Sequence, residues 1–270
     1  MKPIQKEITI TGKDNPVVRH YRKLRDQKKI RQDEKLFVIE GLRIVRDALQ
    51  YPYLVKQVFV TETAWVRHAG IMDFALREPV QMIHITDNIG ELMTDTEHTQ
   101  GVFAVCRVPE PKSVPELLSP DGKYLVLCQI QDPGNLGMIL RTCDALGVDA
   151  VFTTGCCERY SPKVIRATMG SVFRVPVADM PNALNLLTTL RECGIRSYAA
   201  VLSDKAKSLK ECRPGCGCAV WIGNEGNGLP ESISNNCEYH VRIPMQGGAE
   251  SLNAAMAAGI LTWEMMNCQE

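Results

Sequence analysis

The chain has 270 residues, with 31 Lys+Arg against 31 Asp+Glu, 45% hydrophobic residues and 23% charged. A body of that size buries about 75% of its extended-chain surface, so it needs no metal or disulfide staple, and it accommodates one large domain or two ordinary ones. The composition excludes collagen-like, coiled-coil and wholly disordered chains. No apolar run reaches the ~18–20 residues of a membrane span, and the first seven residues lack the apolar core of a secretory signal, so a soluble, cytoplasmic protein is expected.

The zero net charge hides a basic end. Residues 1–46 hold 13 Lys+Arg and 6 Asp+Glu, and Arg19, Arg22, Lys23, Arg25, Lys28, Lys29, Arg31 and Lys35 fall close together. Such a run is either a solvated helix face or a surface for a polyanion. In this segment helical spacing is expected over 17–30, 42–49 and 65–76, and β-type runs over 36–39, 55–60, 81–85 and 102–105. Strands interleaved with helices predict a small α/β domain over residues 1–106. Residues 107–122 carry four prolines without sustained periodicity, the composition of a linker.

Beyond it the alternation is clearer. Strands are expected at 124–130, 150–153, 197–201, 218–222 and 240–243. Helices are expected at 135–146, 162–168 and 183–192, briefly after Pro230, and from about 251 to 266. Gly147 suits a helix stop and Pro162 a first turn. Continuous apolar strands separated by helices imply a mostly parallel sheet covered on both faces, over residues 123–270. The eleven Cys are odd in number and read as reduced thiols. Cys212, Cys216 and Cys218 are spaced C-x3-C-x-C without a nearby His, which is not zinc spacing, so no metal site is expected.

Three loops, each after an expected strand, gather glycine and small polar residues, where parallel sheets bind ligands. The first is 131–137, with Gly134, Asn135 as a possible helix cap, and Arg141 less than two turns further on. The second is 222–230, in which Gly223, Asn224, Glu225, Gly226, Asn227 and Gly228 suit a backbone curled around a ligand. The third is 243–253, where Ser251 or Glu250 could cap the last helix and Asn253 falls just inside it. Small residues from 254 to 259 allow close contact with a neighbouring element or another subunit. The dinucleotide and phosphate-loop fingerprints, H-E-x-x-H and G-x-S-x-G are all absent.

In order, these loops resemble the three motifs of the SpoU (TrmH-type) family of RNA ribose 2′-O-methyltransferases. The residues that carry the likeness are Asp132-Pro133-Gly134-Asn135-Leu136-Gly137 with Arg141, then Gly223 to Leu229, then Pro244-Met245-Gln246-Gly247 with Ser251-Leu252-Asn253. Ser161 to Gly170 is similar to the stretch between the first two motifs. Asn15-Pro16-Val17-Val18 and Phe37-Val38-Ile39-Glu40-Gly41 resemble an L30e-like substrate-binding domain that precedes the catalytic one.

The resemblance implies an α/β fold with a trefoil-knotted, mostly parallel methyltransferase domain, S-adenosyl-L-methionine as cofactor, RNA as substrate and a homodimer through the C-terminal domain. It implies catalytic or positioning roles for Arg141, Asn135, Glu225, Ser251 and Asn253. It also implies a cofactor cradle of Ile222, Gly223, Asn224, Gly226, Gly228, Leu229, Ile243, Met245, Gly247, Ser251 and Leu252. The eight basic residues named above, with Lys163 and Arg166, are expected to meet RNA phosphates. Large-subunit ribosomal RNA is the expected target, with tRNA as the alternative. A catalytically silent RNA-binding protein of the same fold, or a metabolic enzyme with an incidental basic helix, would be the other classes. Full deprotonation of an arginine near neutral pH costs on the order of 8 kcal/mol, so Arg141 is expected to stabilise a developing alkoxide rather than act as a free base.

Overall fold

A computed structural model describes residues 8–51, 53–68, 80–203, 205–212 and 214–267. In chain order they form β1 (Ile8–Ile10), α1 (Pro16–Asp26), α2 (Lys28–Glu34), β2 (Leu36–Glu40), α3 (Leu42–Ala48), β3 (Val55–Thr61), α4 (Glu62–Arg67), β4 (Gln81–Ile85), α5 (Asp87–Met93) and β5 (Val102–Arg107). There follow α6 (Val114–Leu117), β6 (Lys123–Cys128), α7 (Pro133–Leu146), β7 (Ala150–Thr154), α8 (Pro162–Thr168), β8 (Val177–Asp179), α9 (Ala183–Glu192) and β9 (Arg196–Ala200). The chain ends with β10 (Lys207–Ser208), α10 (Leu209–Cys212), β11 (Cys218–Ile222), α11 (Glu231–Ser234), β12 (Tyr239–Arg242) and α12 (Ala254–Asn267). Two compact units result, one within Met1–Glu110 and Tyr160–Gly170, the other within Pro111–Arg159 and Ser171–Glu270.

The first unit has a five-stranded sheet in the order β1-β4-β3-β5-β2. Strands β1, β4 and β3 are parallel, while β5 is antiparallel to both β3 and β2. Tyr21 on α1 packs edge-on against Phe59 and Phe103, with centroids 5.6 and 5.8 Å away, at the centre of the core. Asn15 starts α1 by accepting from the Val17 N–H at 2.9 Å, and Pro16 fills the first helical position.

The helix expected over 17–30 is two helices. Gln27 is extended (φ −121°, ψ 109°), which strands the last carbonyls of α1. Arg31, only 6% exposed, donates to the Leu24 and Arg25 carbonyls at 2.6 and 2.8 Å. Arg25 does the same for α5, donating to the carbonyls of Leu92, Met93 and Thr94 at 3.1, 3.2 and 2.7 Å. Charge and spacing alone group these two arginines with the phosphate-facing set, yet their guanidiniums are spent on helix ends. Helix α4 covers the start of the expected 65–76 helix, and residues 69–79 lie outside those described.

The segment Tyr160–Gly170, placed in the second domain on sequence, packs in this first unit. Tyr160 stacks on Phe37 at 4.6 Å and 25°, and Arg166 pairs with Asp95 at 2.9 Å.

In the second unit a seven-stranded sheet runs β10-β12-β9-β11-β6-β7-β8, parallel at every pairing. Strand β11 is buried along its whole length, and β6 is buried from Tyr124 to Cys128, as strands covered on both faces must be. Tyr124, Phe152 and Trp221 anchor the core. From β6 the chain builds outward to β7 and β8 on one side, while β11, β9, β12 and β10 lie on the other. The order therefore reverses between β6 and β11, and the crevice at their carboxyl ends is the favoured ligand site of such a sheet.

Arg31→Met leaves two helix-end carbonyls without their charged donor. It is expected to cost about 2 kcal/mol, read as a lower urea midpoint with unchanged slope. Lys28→Met, at an exposed position, is expected to stay within about 0.5 kcal/mol of wild type.

Candidate active site

The first loop follows β6. Gln129 turns the chain with φ +58°, and Asp132 caps α7 by accepting from the Asn135 N–H at 2.8 Å. Asn135 is thus inside the first turn of α7 rather than its cap, because Asp132 already fills that role and Pro133 begins the helix. Its side chain is buried to 8% exposure and free to reach across the sheet edge. Gly147 ends α7 in the left-handed conformation, φ +74°, as the sequence indicates.

The second loop follows β11, the neighbour of β6, with Ile222 opposite Leu127 in register. It folds back on itself. Asn224 and Gly228 exchange two backbone hydrogen bonds of 3.0 Å, and the Asn224 Oδ1 accepts from the N–H groups of Gly226 and Asn227 at 2.9 and 3.1 Å. A Cβ on Gly223 would lie 2.0 Å from the Gly228 carbonyl carbon, so no other residue fits there. Asn224 Nδ2 donates to the Gln129 carbonyl at 2.8 Å, fastening this loop to the first.

Glu225 extends the fastening. Its Oε1 accepts from Asn135 Nδ2 at 3.1 Å and the Asp132 N–H at 3.3 Å, and its Oε2 from the Gln131 N–H at 3.4 Å and Asn224 Nδ2 at 3.3 Å. Asn135 Oδ1 in turn accepts from Asn253 Nδ2 at 2.9 Å. Asn253 Oδ1 accepts from the N–H groups of Ala255 and Met256 at 2.9 and 3.3 Å, so Asn253 caps α12 and the helix begins one residue later, not at Ser251.

The direction of this chain of amides is fixed at both ends. A carboxylate only accepts and helix N–H groups only donate, so each intervening amide has one possible orientation. Burial pushes the Glu225 carboxyl up, but donation by Asn135 and by the Glu225, Asp132 and Gln131 N–H groups outweighs it and holds the group below its ordinary 4.5.

Three of the expected catalytic residues, Asn135, Glu225 and Asn253, therefore meet. Arg141 is on α7, about 9 Å along and about 120° around the helix from Asn135. It is exposed, and among the described residues no hydrogen bond or ion pair engages it. Ser251 is exposed on the third loop.

In the expected cradle, Ile222 and Leu229 are buried at 4% and 9%, Ile243 and Met245 are half-buried, and Gly226, Gly228 and Gly247 are exposed. Leu252 projects an apolar side chain to 37% exposure beside the capped start of α12. Exposed loop backbone flanked by Ile243, Met245 and Leu252 fits a ligand with a flat apolar part and polar ends.

Sheet order adds a region that the sequence pattern missed. The carboxyl end of β9, leading to Val201 and Leu202, lies between β11 and β12 and so between the second and third loops. It lacks the Gly and Asn enrichment that marked the others.

Of the expected RNA-facing residues, Arg19, Lys23, Lys28, Lys29, Lys35 and Lys163 are exposed, Arg22 is half-buried, and Arg166 is in its ion pair. The small-residue run on α12 contacts α7: a Cβ on Gly259 would meet Thr142 at 3.9 Å. Met138, Met256 and Trp263 on these two helices are 47%, 55% and 58% exposed.

Residues 122–263 match the model of the SpoU rRNA methylase family, and residues 15–104 match an MRM3-like substrate-binding domain. The chain belongs to the SpoU rRNA methylase family. It is 32% identical over 257 residues to the 23S rRNA (guanosine(2553)-2′-O)-methyltransferase RlmP of Bacillus subtilis, covering 95% of this chain and 98% of that one. The structure of an AdoMet-bound rRNA methyltransferase from Sinorhizobium meliloti superposes with a TM-score of 0.85 at 28% identity, over 96% of this chain and 97% of the other. A solved RNA 2′-O ribose methyltransferase gives 0.81 at 30% identity, over 96% and 98%. The α/β architecture, an all-parallel C-terminal sheet preceded by a separate α/β domain, is that of SpoU proteins.

In this SpoU chain a depressed Glu225 value means that the ionised network stabilises the loops above the ordinary carboxylate range, and that this is lost as pH falls through the folded value. Cofactor affinity by calorimetry is expected to drop on acidification below about pH 4.5. Glu225→Gln sets an NH2 group against donors already in place. It is expected to bind more weakly at neutral pH and to lack the acid limb.

Proposed function

We propose that this protein methylates a ribose 2′-hydroxyl of large-subunit ribosomal RNA, using S-adenosyl-L-methionine. The observation that carries the reading is the convergence of the three loops through Glu225, Asn135 and Asn253 at the β6–β11 crevice. The B. subtilis relative, matched over nearly the full length of both chains, supports ribosomal RNA as the substrate. The cofactor, when bound, supplies the electrophilic methyl group.

The chain's own residues then have three tasks. The backbone of 222–229 and 243–252 holds the donor, with Ile243, Met245 and Leu252 against its adenine and Ser251 at the pocket rim. Asn135, Glu225 and Asn253 keep the loops in one arrangement and bring an amide to the ribose. Arg141, a permanent cation at neutral pH, stabilises the partial negative charge on the attacking oxygen. The exposed residues Arg19, Lys23, Lys28, Lys29, Lys35 and Lys163 hold RNA phosphates and set orientation.

A trefoil knot in the C-terminal domain, a cytoplasmic site of action and a homodimer belong to the same reading. Exposed Met138, Met256 and Trp263 support the dimer, since together they put large apolar side chains on α7 and α12. Arg141, three residues from Met138, would be enclosed by such a face.

Arg141→Ala is expected to slow single-turnover methylation by about 10²–10³-fold with cofactor affinity unchanged, and near-normal rates would remove it from the chemistry. Mapping 2′-O-methyl sites in total RNA with and without the protein tests the target. Loss of one ribosomal site is expected, and loss of a tRNA site instead would replace the substrate. Trp263→Glu is expected to shift the protein to a monomer in sedimentation.

A further inference from the structure

The first unit contains a cavity of about 320 Å³ that none of the three loops touches. Its apolar walls are Ile44 of α3 and Met169, the residue after α8, which is 43% exposed. The floor is bare backbone at Gly41, whose φ of +110° disfavours any other residue and whose missing Cβ would lie 3.4 Å from Gln100 Oε1.

The polar groups around it are fixed in advance. Gln100 Oε1 accepts from the Leu42 N–H at 2.8 Å, which leaves its NH2 group as a donor. The Glu40 carboxylate accepts from the hydroxyls of Thr94 and Thr96 and from the Asp95 N–H, and Asp95 pairs with Arg166 at 2.9 Å. Arg43 is exposed at the rim, and among the described residues no hydrogen bond or ion pair engages it.

We infer that this cavity receives one unstacked nucleotide of the RNA substrate, its base between Ile44 and Met169, its edge read by the Gln100 amide and its phosphate held by Arg43. The inference rests on the RNA-directed function proposed above and deepens it. An extrahelical base is flat and apolar on its faces, polar at its edge and joined to an anion. The cavity offers apolar walls, one positioned amide and one uncommitted guanidinium. Helical RNA hides base edges in a deep, narrow groove, so an unpaired base is what such a pocket can read. Met169 and Arg166 belong to the stretch matched by the methylase model, whereas the substrate-binding match ends at residue 104. A nucleotide seated here touches residues of both.

The test uses the full-length protein, a single-stranded oligouridylate carrying 4-thiouridine, a fully paired RNA duplex and uridine monophosphate. Ile44→Trp fills the cavity, and Arg43→Gln, an exposed change, keeps the test decisive should the first variant fold poorly. Each is expected to weaken single-strand binding about tenfold, or about 1.4 kcal/mol, while duplex binding and calorimetric cofactor affinity hold. Photocrosslinks in the wild type are expected on the peptides carrying Ile44 or Met169. Single-strand binding unchanged in both variants would overturn the pocket and leave the RNA reading standing. A wild type that binds neither RNA would overturn both. Uridine monophosphate competing as tightly as the oligonucleotide would make this a free-nucleotide site and overturn the RNA assignment.

Discussion

Everything at the candidate site depends on one amide, the side chain of Asn135. It donates to Glu225 and accepts from Asn253, so its hydrogen bonds join the second loop to the third. Those loops are 90 and 118 residues away in sequence, and closing such long segments costs entropy that local turns do not repay. The parallel sheet offsets most of that cost by delivering the carboxyl ends of β6, β11 and β12 to one edge. The amides then set the last few ångströms. Because Asn135 is buried, any partner lost would leave an unpaired polar group, which makes the arrangement closer to a switch with one allowed setting than to a set of independent contacts.

In the second loop two of the three glycines, Gly223 and Gly228, are committed before any ligand arrives. Gly223 is needed because the loop returns against it, and Gly228 because its φ is +67°. A rigid, self-closed loop presents its remaining backbone groups without further ordering, which is the preorganisation that a methyl-transfer site needs. Arg141 stands outside that network. Its guanidinium is committed to no hydrogen bond or ion pair among the described residues.

The main elements were legible in the sequence where burial is two-sided or a stop residue is unambiguous. Strand β11 reads as an uninterrupted apolar run, and α7 ends at its glycine. Caps were less legible: Asp132 and Asn135 are both good capping residues three apart, and only the fold decides that the first caps and the second reaches across. The same limit applies to charge. Arg25 and Arg31 look like their basic neighbours, but a break at Gln27, unmarked by Gly or Pro, leaves α1 carbonyls for Arg31, while Arg25 reaches the carbonyls that end α5. Short edge strands such as β1 and β10 carry too few residues for any periodicity, and Tyr160–Gly170 joins the first unit through long-range contacts such as the Phe37–Tyr160 stack, between residues 123 positions apart. The second loop was legible because its backbone constraint writes itself as Gly at positions 223 and 228. The end of β9, where no such constraint operates, was not.

The most direct measurement is a double-mutant cycle between Asn135→Ala and Asn253→Ala, read by calorimetric affinity for S-adenosyl-L-methionine. Loops that act as one unit require strong non-additivity, with a coupling of about 1 kcal/mol or more and the second substitution costing little once the first is made. Effects that add to within about 0.3 kcal/mol would mean that the loops bind independently and that the amide chain is incidental.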